Sequence, residues 1–360
     1  MEKWSKEKAW AWYNQQNWIR GFCYYPSCCV DLIEMWQEYN WDNVKKTINH
    51  EMKLAKDWGF NAVRIITSFE VYLDQHDAMM EHLEEFIMIC DQHQIKVMVC
   101  LGNDCLVSKS NYKKPIYGEQ KCEYFYHSGK AISPHIVMND FGYSLTDDEE
   151  NVEKYLAYID EIVGKYAKDK RVLLWDIFNE PGNSKRDMLS YEIMKKSFEI
   201  ARKHQTIQPC AACCWSYDKH NRPYKEIELK ALEMSDVILY HGYMDFKKHH
   251  RTVRWLKKTY DRPLFNTEWL HRIWHNNVKN LFPYFRKHKI ACFNWGLVRG
   301  KSQTNEPWEW LFNVYHQGHG KDWDFTKWQH DLIRSNGQPY DFEEEKIIKR
   351  ECQKADSIKK

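Results

Sequence analysis

Leu173-Leu174-Trp175-Asp176-Ile177-Phe178-Asn179-Glu180-Pro181 is an apolar run that ends abruptly in an amide, a carboxylate and a proline. It lies between the charged Lys168-Asp169-Lys170-Arg171 and the breakers Pro181-Gly182-Asn183. A run of this length fits a strand of a parallel sheet that is covered on both faces. Pro181 cannot donate to the ladder and stops it. In an eightfold β/α barrel the catalytic face lies where the strands end, so Asn179 and Glu180 would stand at its rim.

A second carboxylate comes from Pro263-Leu264-Phe265-Asn266-Thr267-Glu268-Trp269, again a short apolar strand that finishes in glutamate. Glycoside hydrolysis uses such a pair. Glu180 and Glu268 lie 88 residues apart. If they close strands four and seven, three βα units separate them at about 29 residues each, the usual size of that repeat.

Trp175-Asp176-Ile177-Phe178-Asn179-Glu180-Pro181 resembles the fourth-strand signature of clan A glycoside hydrolases, the cellulase-like superfamily that includes family-five-like retaining β-glycosidases. Thr267-Glu268-Trp269 resembles its seventh-strand element, and the likeness runs from about Trp18 to about Trp308. The resemblance implies an α/β fold, a (β/α)8 TIM barrel, with Glu180 as acid/base and Glu268 as nucleophile. It further implies that Arg64, in Val63-Arg64-Ile65, supports the nucleophile from below. His241 and Tyr243 would line the cleft between the two glutamates, with the Tyr243 hydroxyl near the nucleophile. Trp295 would be the platform under the reactive sugar. One departure leaves the substrate subfamily open: many cellulase-like members carry a histidine near the end of the third strand, where this chain has Gly102-Asn103-Asp104.

The remaining candidates follow from position. Tyr25 closes the first strand, Ile19 to Tyr25, and should face the cleft. Glu34 and Trp36, in the next loop, bring a carboxylate and an indole within reach of a sugar, although Glu34 also reads as a surface charge. Arg64 is a charge in a buried strand, which is expensive unless paired. The Asn179 amide suits a sugar 2-hydroxyl. Lys301 and Gln303 follow the eighth strand as candidate hydroxyl donors. Residues 102–150 form a loop far longer than a usual βα connection, rich in aromatics such as Tyr112, Tyr117, Tyr124, Phe125 and Tyr126, and suited to a cleft wall or lid.

Helices are expected at 41–58, 79–93, 149–168, 186–203, 224–234 and 276–288 from apolar spacing. An N-terminal helix within 1–18 should plug the barrel floor, and 320–360 reads as a C-terminal helical extension. The expected organisation is one catalytic domain over 1–360.

Composition narrows the function. Lys+Arg number 53 against 51 Asp+Glu, a formal charge of +2, which gives no electrostatic case for nucleic acid or an anionic membrane. The start lacks the apolar core of a secretory signal, and no segment has the uncharged length of a membrane span, so a cytoplasmic enzyme is expected. Many of the 12 cysteines sit in apolar strands, as reduced thiols do. Cys210 and Cys213 spell C-x-x-C, but an extended strand points them to opposite faces. His271 and His275 have helical zinc spacing, yet Arg272 stands where a metalloprotease has its glutamate. The mechanism needs no metal or organic cofactor. The expected partner is an oligosaccharide or glycoside, with an endo-acting polysaccharide hydrolase or a catalytically silent carbohydrate-binding barrel as alternatives.

Overall fold

A computed structural model describes residues 2–134 and 140–357. Eight strands, β1 (Arg20–Cys23), β2 (Ala62–Ile66), β3 (Lys96–Asn103), β4 (Val172–Asn179), β5 (Cys210–Cys214), β6 (Ile238–His241), β7 (Leu264–Trp269) and β8 (Ala291–Trp295), close in sequence order into a parallel barrel. Helices including Trp41–Trp58, His76–Gln92, Glu149–Tyr166, Tyr191–Lys203, Glu226–Met234, Phe246–Tyr260 and Val278–Lys287 alternate with the strands. This is the (β/α)8 TIM barrel that the resemblance to clan A glycoside hydrolases implies.

Two apolar layers hold it. The larger lies between sheet and helices and takes Val44, Ile48, Met52 and Ala55, the buried stripe of Trp41–Trp58 at helical spacing. The smaller fills the barrel and consists of inward residues such as Ala62, Met98, Leu174, Ala211, Leu239, Phe265 and Phe293. Cys210 belongs to the outer layer and Cys213 to the inner one, the opposed faces expected of a strand.

The strand starts and ends differ by a few residues from the sequence reading, because edge residues of apolar runs serve as loop anchors. Tyr24 and Tyr25 lie beyond β1, and 186–190 precede the helix Tyr191–Lys203 instead of joining it. The C-terminal extension is helical only over Phe342–Ser357, with a separate helix at Glu309–His316; the stretch between them is irregular. Its glycine and polar turns explain the difference. Residues 135–139 of the long loop and 358–360 of the tail lie outside the described residues. No described helix is long and apolar enough to cross a membrane.

The N-terminal helix Lys6–Asn14 closes the floor of the barrel. Trp12 stacks on Phe265 at 6.2 Å, Tyr13 meets the same ring edge-on at 5.5 Å, and the Tyr13 hydroxyl donates to the Lys289 carbonyl at 2.7 Å. Tyr13→Ala should therefore cost about 3–5 kcal/mol, as for deletion of a large buried ring, and Tyr13→Phe only about 1 kcal/mol for the lost hydrogen bond. Urea denaturation measures both, and a Tyr13→Ala loss near zero would contradict the floor packing.

Candidate active site

Irregular pairing aims the key side chains. Along β4, Leu174 and Asp176 face inward. The register against β5 then shifts between Asp176 and Phe178, Phe178 joins the outer layer, and Asn179 turns toward the barrel axis. Glu180 follows with φ 45°, a left-handed conformation unusual for a residue with a side chain. On β7 a similar shift between Asn266 and Trp269 accompanies Glu268, while Trp269 packs outward.

Arg64 lies fully buried beneath both glutamates' strands. Its Nε donates to Asp176 Oδ2 at 2.8 Å, Nη1 to Glu268 Oε1 at 2.9 Å and Nη2 to Asn179 Oδ1 at 2.7 Å. The pairing expected for a charge in a strand is thus present, with β4 and β7 bound to one guanidinium. Tyr243 donates its hydroxyl to Glu268 Oε2 at 2.9 Å. Asn179 Nδ2 donates to Asn103 Oδ1 at 2.8 Å and more weakly to the Cys105 sulfur at 3.5 Å.

Glu180 collects a different set of donors. His241 Nδ1 lies 2.7 Å from Oε1, Cys105 donates its thiol to Oε2 at 3.0 Å, and Asn183 donates to Oε2 as well. Burial alone would raise this carboxyl, but the hydrogen bond and charge of His241, with Cys105 and Asn183, bring it down to about 2. Glu268 moves the other way: burial and the neighbouring Glu180 charge raise it, against the pull of His241 and Arg64. The sequence reading has Glu180 protonated and Glu268 ionised near neutral pH. In the open site the three donors that converge on Glu180 instead favour its ionised form, while burial raises Glu268.

His241 stands between the two carboxylates, with Nδ1 also 3.4 Å from Glu268 Oε2. One atom from each of Glu180, His241 and Glu268 lie within 4.8 Å of one another, a grouping that could hold a metal ion. The donor set fits one poorly, because Arg64, Tyr243, Cys105 and Asn183 already occupy the carboxylate oxygens and Arg64 adds a positive charge.

The pair opens into a cavity of about 1400 Å³, lined by Tyr25, Asn103, Cys105, Asn179, His241, Tyr243 and Trp295 among others. Tyr25 and Trp295 meet edge to face at 6.2 Å. The long loop after β3 contributes Tyr112, Lys121, His127 and Tyr143 to the lining.

Four candidates turn out to be structural. Trp36 is fully buried and donates its indole N–H to the Ile66 carbonyl at 2.9 Å; it belongs to the outer core. Glu34 accepts the Val30 N–H at 2.7 Å and pairs with Lys301 at 3.3 Å, so each satisfies the other away from the cavity. Gln303 is spent on the backbone of residues 123–126. The sequence reading placed them by proximity to strand ends, which does not reveal which way a loop side chain turns. It missed Cys105, Asn183 and the cavity-lining Trp215 and Tyr217. Asn183 was visible as one residue of the Pro-Gly-Asn breaker after Glu180; the thiol of Cys105 had no local signal.

A model of the Cellulase family (glycosyl hydrolase family 5) matches residues 27–209, just over half of the chain. No curated protein matches by sequence. Among solved structures, the chain is similar to the exo-beta-1,4-mannosidase Op5Man5 from Opitutaceae bacterium strain TAV5, with 14% identity and a TM-score of 0.56 over 94% of this chain and 60% of that one. It is also similar to the endo-beta-1,4-mannanase from Thermotoga petrophila, with 13% identity and a TM-score of 0.56 over 97% and 79% of the two chains. A third is GH5_18 from Streptomyces cattleya in complex with GlcNAc, with 10% identity and a TM-score of 0.58 over 94% and 80%. The chain thus spans 60% of the length of the first of these.

Replacing Arg64 by methionine leaves Asp176 and Glu268 buried without their cation, at a cost of about 3–5 kcal/mol. Glu268, already raised by burial, then loses the Arg64 charge that pulls it down, so its folded-state value rises further above the unfolded one and it destabilises the fold increasingly as pH rises through the carboxylate range. Urea denaturation should show a larger loss for Arg64→Met at pH 8 than at pH 5. An equal loss at both would contradict the charge pairing.

Proposed function

The chain belongs to glycosyl hydrolase family 5, and from that membership and its paired carboxylates we propose a retaining β-glycosidase that cleaves O-linked oligosaccharides or glycosides by double displacement. The observation that carries this reading is the closeness of the pair, an oxygen of Glu180 within 4.8 Å of one of Glu268. Retaining enzymes hold their carboxyl groups about 5–5.5 Å apart, whereas inverting enzymes leave about 6.5–9.5 Å for a water.

In this mechanism Glu268, held by Arg64 and Tyr243, attacks the anomeric carbon. Glu180 protonates the departing oxygen. Glu180 takes up that proton as the substrate fills the cleft, excludes water and meets the carboxyl with an ether oxygen. Once Glu268 is an ester its negative charge is gone, and Glu180 ionises to activate the incoming water. The second Asn179 amide hydrogen rests on the weakly accepting Cys105 sulfur at 3.5 Å and turns to the 2-hydroxyl when substrate binds, and Trp295 with Tyr25 forms the platform beneath the ring. No metal or organic cofactor takes part.

The exo-mannosidase and the mannanase among the similar structures make a β-mannoside the first substrate to try. The free, mostly buried cysteines suit a reducing compartment, and the reading extends to a cytoplasmic enzyme. Residues 1–360 act in it as one catalytic domain, since the N-terminal helix closes the barrel floor and the C-terminal helix pairs Glu351 with Arg286.

The test is a screen of aryl β-D-mannoside, glucoside, xyloside, galactoside and fucoside, with proton NMR of the first-formed sugar. Release with retained β configuration is expected; an α product would contradict the mechanism. Glu180→Gln should lose about 10²–10⁴-fold in turnover of a poor leaving group, and Glu268→Gln nearly all activity. Near-normal turnover in either sinks the assignment.

The pH profile supplies a further prediction. Glu268 must be ionised, and because its carboxyl is raised, the acid limb should lie above the ordinary glutamate value of 4.5. The alkaline limb of kcat reports ionisation of Glu180 in the substrate complex. Cys105→Ala removes a donor that favours ionised Glu180, so the alkaline limb should move up by about half to one pH unit, the equivalent of one modest hydrogen bond. A downward shift would contradict the role of the thiol.

A further inference from the structure

Beyond Tyr25 and Trp295 three loops are joined into one wall. Gln303, in the loop after β8, donates from Nε2 to the carbonyls of Glu123 at 2.7 Å and Tyr126 at 3.3 Å, and accepts the Phe125 N–H at 2.8 Å. His127 Nδ1 lies 2.8 Å from the Glu306 carbonyl, and the Cys122 thiol donates to the Lys301 carbonyl at 3.3 Å. On the β1 side Lys130 pairs with Asp31.

The backbones approach so closely that only glycine fits at two of the junctions. A Cβ on Gly129 would fall 2.4 Å from the Lys301 carbonyl oxygen, and one on Gly300 would fall 2.3 Å from Ser27 Cα and oxygen. Neither neighbour is a side chain that could swing aside. Residues 122–130 therefore form a strap fixed to the β8 loop along its length and to the β1 loop at its end. Glu123, His127, Ser128 and Lys130 of the strap line the same cavity as the two glutamates.

The strand order gives this wall a direction. In a closed barrel of eight strands β8 and β1 stand across the axis from β4. A glycoside whose departing oxygen meets Glu180, on β4, directs the far edge of its reactive ring across the barrel toward Tyr25, Trp295 and the strap. We propose that the strap closes the glycone end of the cleft, so that the enzyme works from the non-reducing end of a chain and releases one short glycone of fixed size at each cleavage. The aglycone leaves on the β4 and β5 side past Trp215, whose indole is held by the Pro181 carbonyl at 3.0 Å and covered by the Lys225 ammonium at 4.4 Å. The proposal rests on the glycoside hydrolase reading above and adds the mode of attack to it.

A β-linked hexasaccharide of the sugar found in the aryl glycoside screen, labelled with a fluorophore at its reducing end, tests it. During the first few per cent of conversion the native enzyme should give a single labelled product, shortened by one fixed unit. Labelled products of mixed length at that stage overturn the strap proposal. Gln303→Ala, which loosens the strap without touching the reacting atoms, should keep kcat/KM on the aryl glycoside within about twofold, the scale of a substitution remote from the chemistry, while mixed-length products appear. A Gln303→Ala product pattern identical to the native one would show that the strap does not set the mode of attack. Aryl glycoside release in the same preparations separates the two readings: release with mixed products removes the strap proposal alone, and silence on every substrate removes the hydrolase reading together with it.

Discussion

A guanidinium enclosed in the barrel can survive there only if its charge is met, and Arg64 is met from three sides, by Asp176, Asn179 and Glu268. Taking an unpaired cation of this kind out of water costs several kcal/mol, so the geometry of β2, β4 and β7 is bound to it. The shift in register after Asp176 is part of the same arrangement. Without it Asn179 would alternate outward and Arg64 would lose an acceptor. A single buried cation thus ties the two strands that end in glutamate to a third strand that ends in neither.

The same crowding accounts for the sulfur around the site. Cys23 and Cys100 lie 3.7 and 3.8 Å from the Arg64 nitrogens, Cys213 accepts the Glu180 N–H at 3.1 Å, and Cys105 reaches the Glu180 carboxylate. Cysteine is small, apolar enough for the core and able to make weak hydrogen bonds, which suits positions where a larger polar side chain would not fit. Burial raises all four thiols, so they remain neutral beside the carboxylates. Glu180 is consequently governed by its neighbours in a way its own strand does not reveal. In the proposed mechanism it takes up its proton only when a substrate arrives.

The barrel was legible in the sequence because each of its strands is a short apolar run with breakers behind it, and burial on both faces demands that pattern. Arg64 stood out because a charge inside such a run needs a partner. Tyr243 and His241 stood out because a strand-end His-x-Tyr resembles the clan's cleft-lining pair. The loops were legible only as lengths and compositions. Glu34, Trp36, Lys301 and Gln303 sit next to strand ends in sequence, yet each turns away from the cavity to satisfy a backbone group or an ion pair. For Gln303 and Lys301 the choice depends on contacts across 180 or more residues, as between Gln303 and Glu123, and no local pattern carries it. The lowered Glu180 carboxyl had the same origin, since the donors that lower it come from three separate loops and strands.

The central claim is that Glu268 forms a bond to the sugar while Glu180 handles the proton. An activated 2-deoxy-2-fluoro glycoside slows the breakdown of such an intermediate because the fluorine destabilises the oxocarbenium-like state, and mass spectrometry of the digested protein then locates the sugar. The account predicts one glycosyl group per chain, on the peptide that carries Glu268, and its absence in Glu268→Gln. A sugar on any other residue, or steady turnover of the fluoro glycoside with no covalent species, would contradict it.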